Sequence, residues 1–223
     1  MSMRKNAQND NVVLLHDYGI LTASREIFLH ASLYDGIEEE GVDFKSAVRF
    51  QKNLRLLSSI SNDPIIVHMN IPGGSWEDGM SIYDSIKECP CYIAILAYGK
   101  VQSASSVIIE AADKRVLMPN TTFLIHYGSI SLDSETTVAV STVEWSERET
   151  NKMINIFVEN CKNSPICKEK KWKNSTTAIK KHIESQIKNK GDWILTAEEA
   201  VYYGFADDIF GSETCPTVES LIK

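Results

Sequence analysis

The stretch YGKVQSASSVIIEAAD, Tyr98 to Asp113, sets three serines, Ser103, Ser105 and Ser106, within four positions between a glycine and a run of β-branched residues. Just before it, CYIAILAYG (91–99) is a short apolar run of the kind expected of a strand buried on both faces, and SASSVIIEAAD after it reads as a helix. The junction is therefore a strand feeding a helix through a sharp turn. Such a turn leaves backbone N–H groups at the helix start without partners. Those donors can stabilise an oxyanion, and a serine at the junction has its hydroxyl beside them, as acyl transfer requires. Serine is also a preferred N-cap residue, so the cluster alone fits a helix cap as well as a nucleophile.

Working outward, the same alternation recurs. REIFLHAS (Arg25 to Ser32) reads as a buried strand, and VDFKSAVRFQKNLRLLSSIS (Val42 to Ser61) spaces Val48, Leu54, Leu57 and Ile60 helically, with Phe50 beside them. PIIVHMNI is a β-branched run opened by Pro64 and closed by the turn Pro72-Gly73-Gly74. After that turn Trp76, Met80, Tyr83 and Ile86 share one helical face, with Glu77 and Asp78 early, where the helix dipole favours negative charge. TTFLIHYG supplies a third strand of this kind, ending near His126.

Residues 133 to about 161 form a long amphipathic stretch with Val143, Ile154, Phe157 and Val158 at apolar positions. At 1.5 Å per residue it predicts a helix of roughly 40 Å, long enough to protrude or to serve an interface. LTAEEAVYYGFADDIF opens with Thr196 and Glu199 at capping-box spacing, places Ala200 and Tyr203 on its apolar side and stops at Gly204. Strands and helices alternate throughout, so the class is α/β.

The 223 residues suit one large domain, or a domain with an appendage. The net charge of −7 argues against nucleic acid as a general partner, but it is unevenly spread. Residues 162–190 hold nine lysines and two glutamates, +7, leaving −14 on the remainder. A solvated helical appendage is the plainer reading of this lysine-rich piece, and a surface for an acidic partner the other. The five cysteines lack paired metal-ligand spacing and are odd in number, so no zinc site or disulfide framework is expected and a reducing, cytoplasmic setting is. Val12 to Leu15 is too short for a signal-peptide core, and no stretch approaches the ~20 apolar residues of a membrane span.

Three segments, IPGGSWEDGMSIYD (71–84), the stretch from Tyr98 to Gly128, and DWILTAEEAVYYGFADDI (192–209), resemble in this order the motifs of the Clp protease proteolytic subunit family. These are its Pro-Gly-Gly turn with Gly-x-x-Ile-Tyr-Asp, its nucleophile segment followed by Arg-x-x-x-Pro-Asn and Ile-His, and its late Asp followed by Ala-x-Glu-Ala-x-x-Tyr-Gly. The resemblance covers roughly residues 25–210. It implies a ClpP/crotonase-like spiral of β-β-α units, with residues 1–24 as an N-terminal extension and 25–223 as the peptidase domain. Within that domain it implies a handle-type helix at about 134–161, followed by the lysine-rich insertion at about 162–190.

The resemblance also implies a serine endopeptidase without cofactor or metal, acting on peptide or unfolded protein inside a ring-forming homo-oligomer, with an AAA+ unfoldase as a further partner. Position by position it puts the nucleophile on Ser103, the base on His126 and the orienting carboxylate on Asp192, with the N–H groups of Gly74 and Ala104 as the oxyanion hole. His16, His30, His68 and His182 match no catalytic position, and Asp84 and Asp207 read as structural. Two departures stand out: the family's Ser-Pro-Gly-Gly becomes IPGG, and its Gln-Pro and Gly-Gly after the histidine give way to YGSISLD. Such departures are expected of a divergent paralogue or of a phage-encoded relative. Two other readings stay open at this point: a crotonase-like acyl-CoA enzyme, which uses similar backbone N–H pairs, and a non-catalytic ring scaffold.

Overall fold

In a computed structural model the described residues are 11–30, 41–129, 135–172 and 175–222. Most of the N-terminal extension's first half, the end of the REIFLHAS run, part of YGSISLD and the first two residues of the long amphipathic stretch lie outside them. One mixed sheet organises the chain: β1 (Ile20–Leu21), β2 (Glu26–His30), β3 (Ile65–Ile71), β4 (Ile93–Gln102), β5 (Lys114–Leu117), β6 (Thr122–Ile125), β7 (Trp193–Leu195) and β8 (Asp208–Ile209). The path runs β1-β2-β3-β4-β5-β8, and β6 pairs with both β4 and β7. From β2 to β8 the neighbours are parallel, which requires helical crossovers, and the expected α/β spiral is what forms.

The ten-residue β4 positions the site because it changes partner midway. Ala94 to Ala97 pair with β5, whereas Lys100 to Gln102 pair with β6. On its other edge the register jumps from Met69↔Ala97 to Ile71↔Val101, so β4 carries extra residues around Gly99. Gly99 sits at φ 57°, a left-handed conformation that side chains disfavour, and a Cβ there would press on Asn70 Oδ1 at 3.2 Å. The bend turns the end of β4 out of the main sheet and toward β6.

Helices cover the sheet after a short helical segment α1 (residues 11–18). α2 (Phe44–Ile60) buries Ala47, Phe50, Leu54 and Leu57, and its Asp43–Ser46 capping box starts it. The expected Ile60 instead lies exposed, because it has rotated past the buried stripe. In α3 (Trp76–Lys87) the deepest residues are Gly79, Ile82 and Ile86, while Trp76, Met80 and Tyr83 are half-buried on the flank. β4 leads into the short helix α4 (Ala104–Ile108), which ends in a 3-10 turn.

α5 (Thr136–Cys161) has 26 residues and is ~39 Å long. Its buried residues, Met153, Ile154, Phe157, Val158 and Cys161, all lie in the C-terminal part. The apolar pattern continues toward the N-terminus, but there it is solvent-facing: Val143 is 42% exposed and Val138, Val140 and Trp145 more so. The lysine-rich piece forms α6 (Pro165–Glu169) and α7 (Thr176–Lys190). α7 buries Ile179, Ile183 and Ile187, one per turn, and packs on α5. α8 (Ala197–Tyr203) has the expected Thr196–Glu199 capping box and Gly204 cap.

Phe123, Phe157, Trp193, Tyr203 and Phe205 interlock at ring separations of 4.8 to 6.5 Å. They join β6, α5, β7 and α8, and burial of each ring contributes roughly 1.5–3 kcal/mol. Among the described residues no helix is long and apolar enough to cross a membrane.

Candidate active site

Ser103 follows the last residue of β4 at φ 55° and ψ −124°, a strained backbone for a residue with a side chain. Four hydrogen bonds hold the turn there. Ser103 N–H donates to Leu124 O at 3.0 Å, and the other two serines of the cluster brace the turn. Ser105 Oγ accepts from Gln102 N–H and donates to Gln102 O, both at 2.8 Å, and Ser106 Oγ donates to Ser103 O at 2.6 Å. Both bracing serines are buried. The Ser103 hydroxyl makes no capping bond to α4; it faces His126, with Oγ 2.8 Å from Nε2.

His126 follows β6 directly, and β6 pairs antiparallel with β7 so that Ile125 stands opposite Trp193. The residues just beyond that pair, His126 and Asp192, are thus brought side by side. His126 Nδ1 lies 3.1 Å from Asp192 Oδ1. Hydroxyl, imidazole and carboxylate form one series although they are separated by 23 and 66 residues in the chain. The Asp192 side chain is 59% exposed, more open to water than the His126 ring.

The Pro-Gly-Gly turn closes the other side. A Cβ built on Gly73 would lie 2.3 Å from Ser103 Cβ and 2.8 Å from Gln102 O, so only glycine permits this approach. Gly74 is bridged in parallel to Val42, with Val42 N–H donating to Gly73 O at 2.9 Å and Ser75 N–H to Val42 O at 2.8 Å. In such a bridge the N–H of the middle residue points away from the partner. Gly74 and Ala104 both border a cavity of about 400 Å³ that also contains Ser103 and His126.

Four of the five residues expected from the sequence, Gly74, Ser103, Ala104 and His126, thus line one cavity, and the fifth, Asp192, joins them through His126. The cavity's far wall was not read from the sequence: it is made by Trp76 together with Trp145, Glu149 and Met153 of α5. Trp76 carried a signal, an indole two positions after Gly74; the α5 residues carried none, since they lie more than forty positions beyond Ser103 in the chain. His68, by contrast, is held away from any serine. Its Nδ1 lies 2.8 Å from Tyr98 OH and its Nε2 2.9 Å from Glu26 Oε2, with Phe28 stacked on the ring at 4.6 Å. His182 packs between Trp172 and Tyr203. Among the described residues no His, Cys, Asp and Glu group could hold a metal ion.

Known proteins are similar to this chain in sequence and in fold. The Clp protease family model matches residues 12–213. The chain is 34% identical over 179 residues to the ATP-dependent Clp protease proteolytic subunit 2 of Pseudomonas aeruginosa, covering 78% of this chain and 79% of that one. It is 31% identical over 196 residues to proteolytic subunit 3 of Rhizobium etli, covering 86% and 87%. In fold it is similar to a ClpP1 mutant from Listeria monocytogenes, with a TM-score of 0.68 at 24% identity over 90% of this chain and 96% of that chain. A family match over nearly the whole chain and relatives above 30% identity lead to one conclusion: the chain belongs to the Clp protease family.

Proposed function

We propose that the chain hydrolyses peptide bonds as a serine endopeptidase, with Ser103 as nucleophile, His126 as general base and Asp192 as the group that orients the imidazole. The observation that carries this reading is the pair of contacts at 2.8 and 3.1 Å linking the three side chains at the cavity. As Ser103 Oγ attacks the scissile carbonyl carbon, its proton passes to His126 Nε2, and Asp192 stabilises the imidazolium. The negative oxygen of the tetrahedral intermediate accepts hydrogen bonds from Gly74 and Ala104 N–H, each worth about 3 kcal/mol of barrier. Collapse expels the amine with the proton from His126, and a water molecule then hydrolyses the acyl-serine by the reverse proton route.

The family assembles in rings, and the apolar outer half of α5 is the face that a neighbouring copy would cover. Peptide or unfolded protein is the substrate, and an AAA+ unfoldase is the partner suggested by relatives that are named ATP-dependent. Five free thiols suit a reducing compartment such as the cytoplasm. Residues 25–223 act as the peptidase domain, and α6 with α7 as its insertion. A fluorophosphonate probe tests the reading: it labels Ser103, labelling vanishes in Ser103→Ala, and it falls sharply in His126→Ala. Coenzyme A binding without a serine adduct would favour the crotonase-like alternative instead.

Two substitutions probe the geometry. Asp192→Asn is expected to lower kcat about 10²-fold in a peptide assay, less than the ~10⁴-fold seen for a buried orienting carboxylate, because water reaches this one. Gly73→Ala forces Ser103 aside, and steady-state kinetics are expected to show kcat lowered by about 10²-fold with the fold retained.

A further inference from the structure

We propose that Glu149 is a positioning residue for this peptidase: by holding the Trp76 indole, it fixes the turn that presents the Gly74 N–H to the substrate. The proposal rests on the reading of Ser103 as nucleophile and Gly74 as oxyanion donor, and adds a residue 73 positions from the Trp76 it holds.

The Gly73-Gly74 turn has two anchors. On its upstream side it is tied by the Val42 bridge. Downstream, Ser75 caps α3 by accepting from Asp78 N–H at 3.2 Å, and Trp76 is the first residue of the helix. An indole that is half-buried needs a partner for its N–H. Trp76 Nε1–H donates to Glu149 Oε2 within the cavity wall, from the first turn of α3 to the middle of α5. Nothing else described between these two helices is a side-chain hydrogen bond to the catalytic turn.

Glu149 is itself held in place. Its side chain is only 12% exposed, and Lys152 Nζ lies 2.8 Å from Oε1. The same ammonium sits 5.5 Å over the Trp145 ring. One carboxylate oxygen is therefore assigned to Lys152 and the other to Trp76. Burial alone would raise the Glu149 carboxyl, but the hydrogen bonds from Lys152 and Trp76 outweigh it and hold the group below the usual carboxylate range. The carboxylate is charged at neutral pH, and a charged acceptor makes a shorter and stronger bond to the indole than a neutral one. A shielded carboxylate facing an active-site cavity is costly unless its bonds are used, and here they set the angle at which the oxyanion turn enters α3.

The test compares Glu149→Ala, Glu149→Gln, Trp76→Phe and the double variant Trp76→Phe/Glu149→Ala in the full chain, with a fluorogenic peptide and with the rate of fluorophosphonate labelling. Glu149→Ala and Trp76→Phe are each expected to lower kcat about 10- to 10²-fold with KM within about threefold, the signature of a displaced transition-state donor. Glu149→Gln keeps a carbonyl acceptor for the indole and is expected to recover to within about threefold of the unmodified chain. The double variant is expected to be no slower than the slower single one, because both break the same bond. If Glu149→Ala fails to fold, Trp76→Phe and Glu149→Gln carry the comparison. A change in KM alone would make Glu149 part of a substrate side-chain pocket and overturn the proposal, as would unaltered kcat, failure of Glu149→Gln to recover, or multiplicative losses. Activity retained in Ser103→Ala overturns the underlying reading; an inactive Ser103→Ala beside a normal Glu149→Ala overturns this proposal alone.

Discussion

Ser103→Ala is expected to lower kcat for peptide hydrolysis by about 10⁶-fold, with KM little changed and the unfolding midpoint preserved. The size follows from the proposed mechanism: without the hydroxyl no acyl intermediate forms, and hydrolysis is left to direct attack by water on a carbonyl polarised by the two backbone donors. The midpoint is preserved because the hydroxyl is not part of what holds the turn. That work falls to Ser105 and Ser106, whose Oγ atoms are bonded to Gln102 and Ser103 backbone. His126→Ala is expected to fall nearly as far, and the double variant no further, since nucleophile and base act as one unit. Burst kinetics and single-turnover assays measure this directly. A Ser103→Ala protein that hydrolyses peptide within about tenfold of the unmodified chain would remove Ser103 from the reaction.

The strands and helices that build this site were legible where the pattern was strong. PIIVHMNI and CYIAILAYG became β3 and β4 because both faces of those strands are covered, so alternation was not needed. β5 was not legible: its first two residues are Lys114 and Arg115, and a charged pair in four residues does not look like an interior strand. It is one because Arg115 finds two acidic partners, the buried Glu110 and the more open Asp207. β7 and β8 are three and two residues long, too short for any periodicity, yet β7 is what carries Asp192 to His126. Ser103, His126 and Asp192 each fit a cap or a strand end when read singly. Only their order within family motifs singled them out, and the pairing of β6 with β7 gives the physical reason for that order. Val143 reads correctly as apolar but is exposed, since only the C-terminal part of α5 packs against the rest of the chain.

Arg115→Ala is expected to destabilise the fold by about 3–5 kcal/mol and to make that loss depend on pH. Arg115 is a buried cation with three roles. Its Nη1 lies 2.5 Å from Glu110 Oε2 and 2.9 Å from Gly204 O, and its Nη2 lies 2.5 Å from Asp207 Oδ1. It thereby fastens strand β5 and the 3-10 turn that continues α4, the helix begun at Ser103, to the end of α8. Glu110 is fully shielded from water, and burial pushes its carboxyl up from 4.5 to about 8 although Arg115 pulls the other way. A carboxyl raised in the folded state keeps its proton where the unfolded chain has lost it. Its contribution to stability is therefore complete below pH ~4.5 and declines as pH rises toward 8. Removing Arg115 takes away the one lowering influence, so the carboxyl rises further and the decline extends to higher pH. Urea midpoints at pH 5.5 and 8.5 are expected to show the larger loss at 8.5. Glu110→Gln in the Arg115→Ala background is expected to flatten that dependence, because an amide has no proton to lose at this pH. Equal losses at both pH values would mean that Arg115 acts through packing of its side chain, and that the charge on Glu110 does not govern how the turn that continues α4 is held.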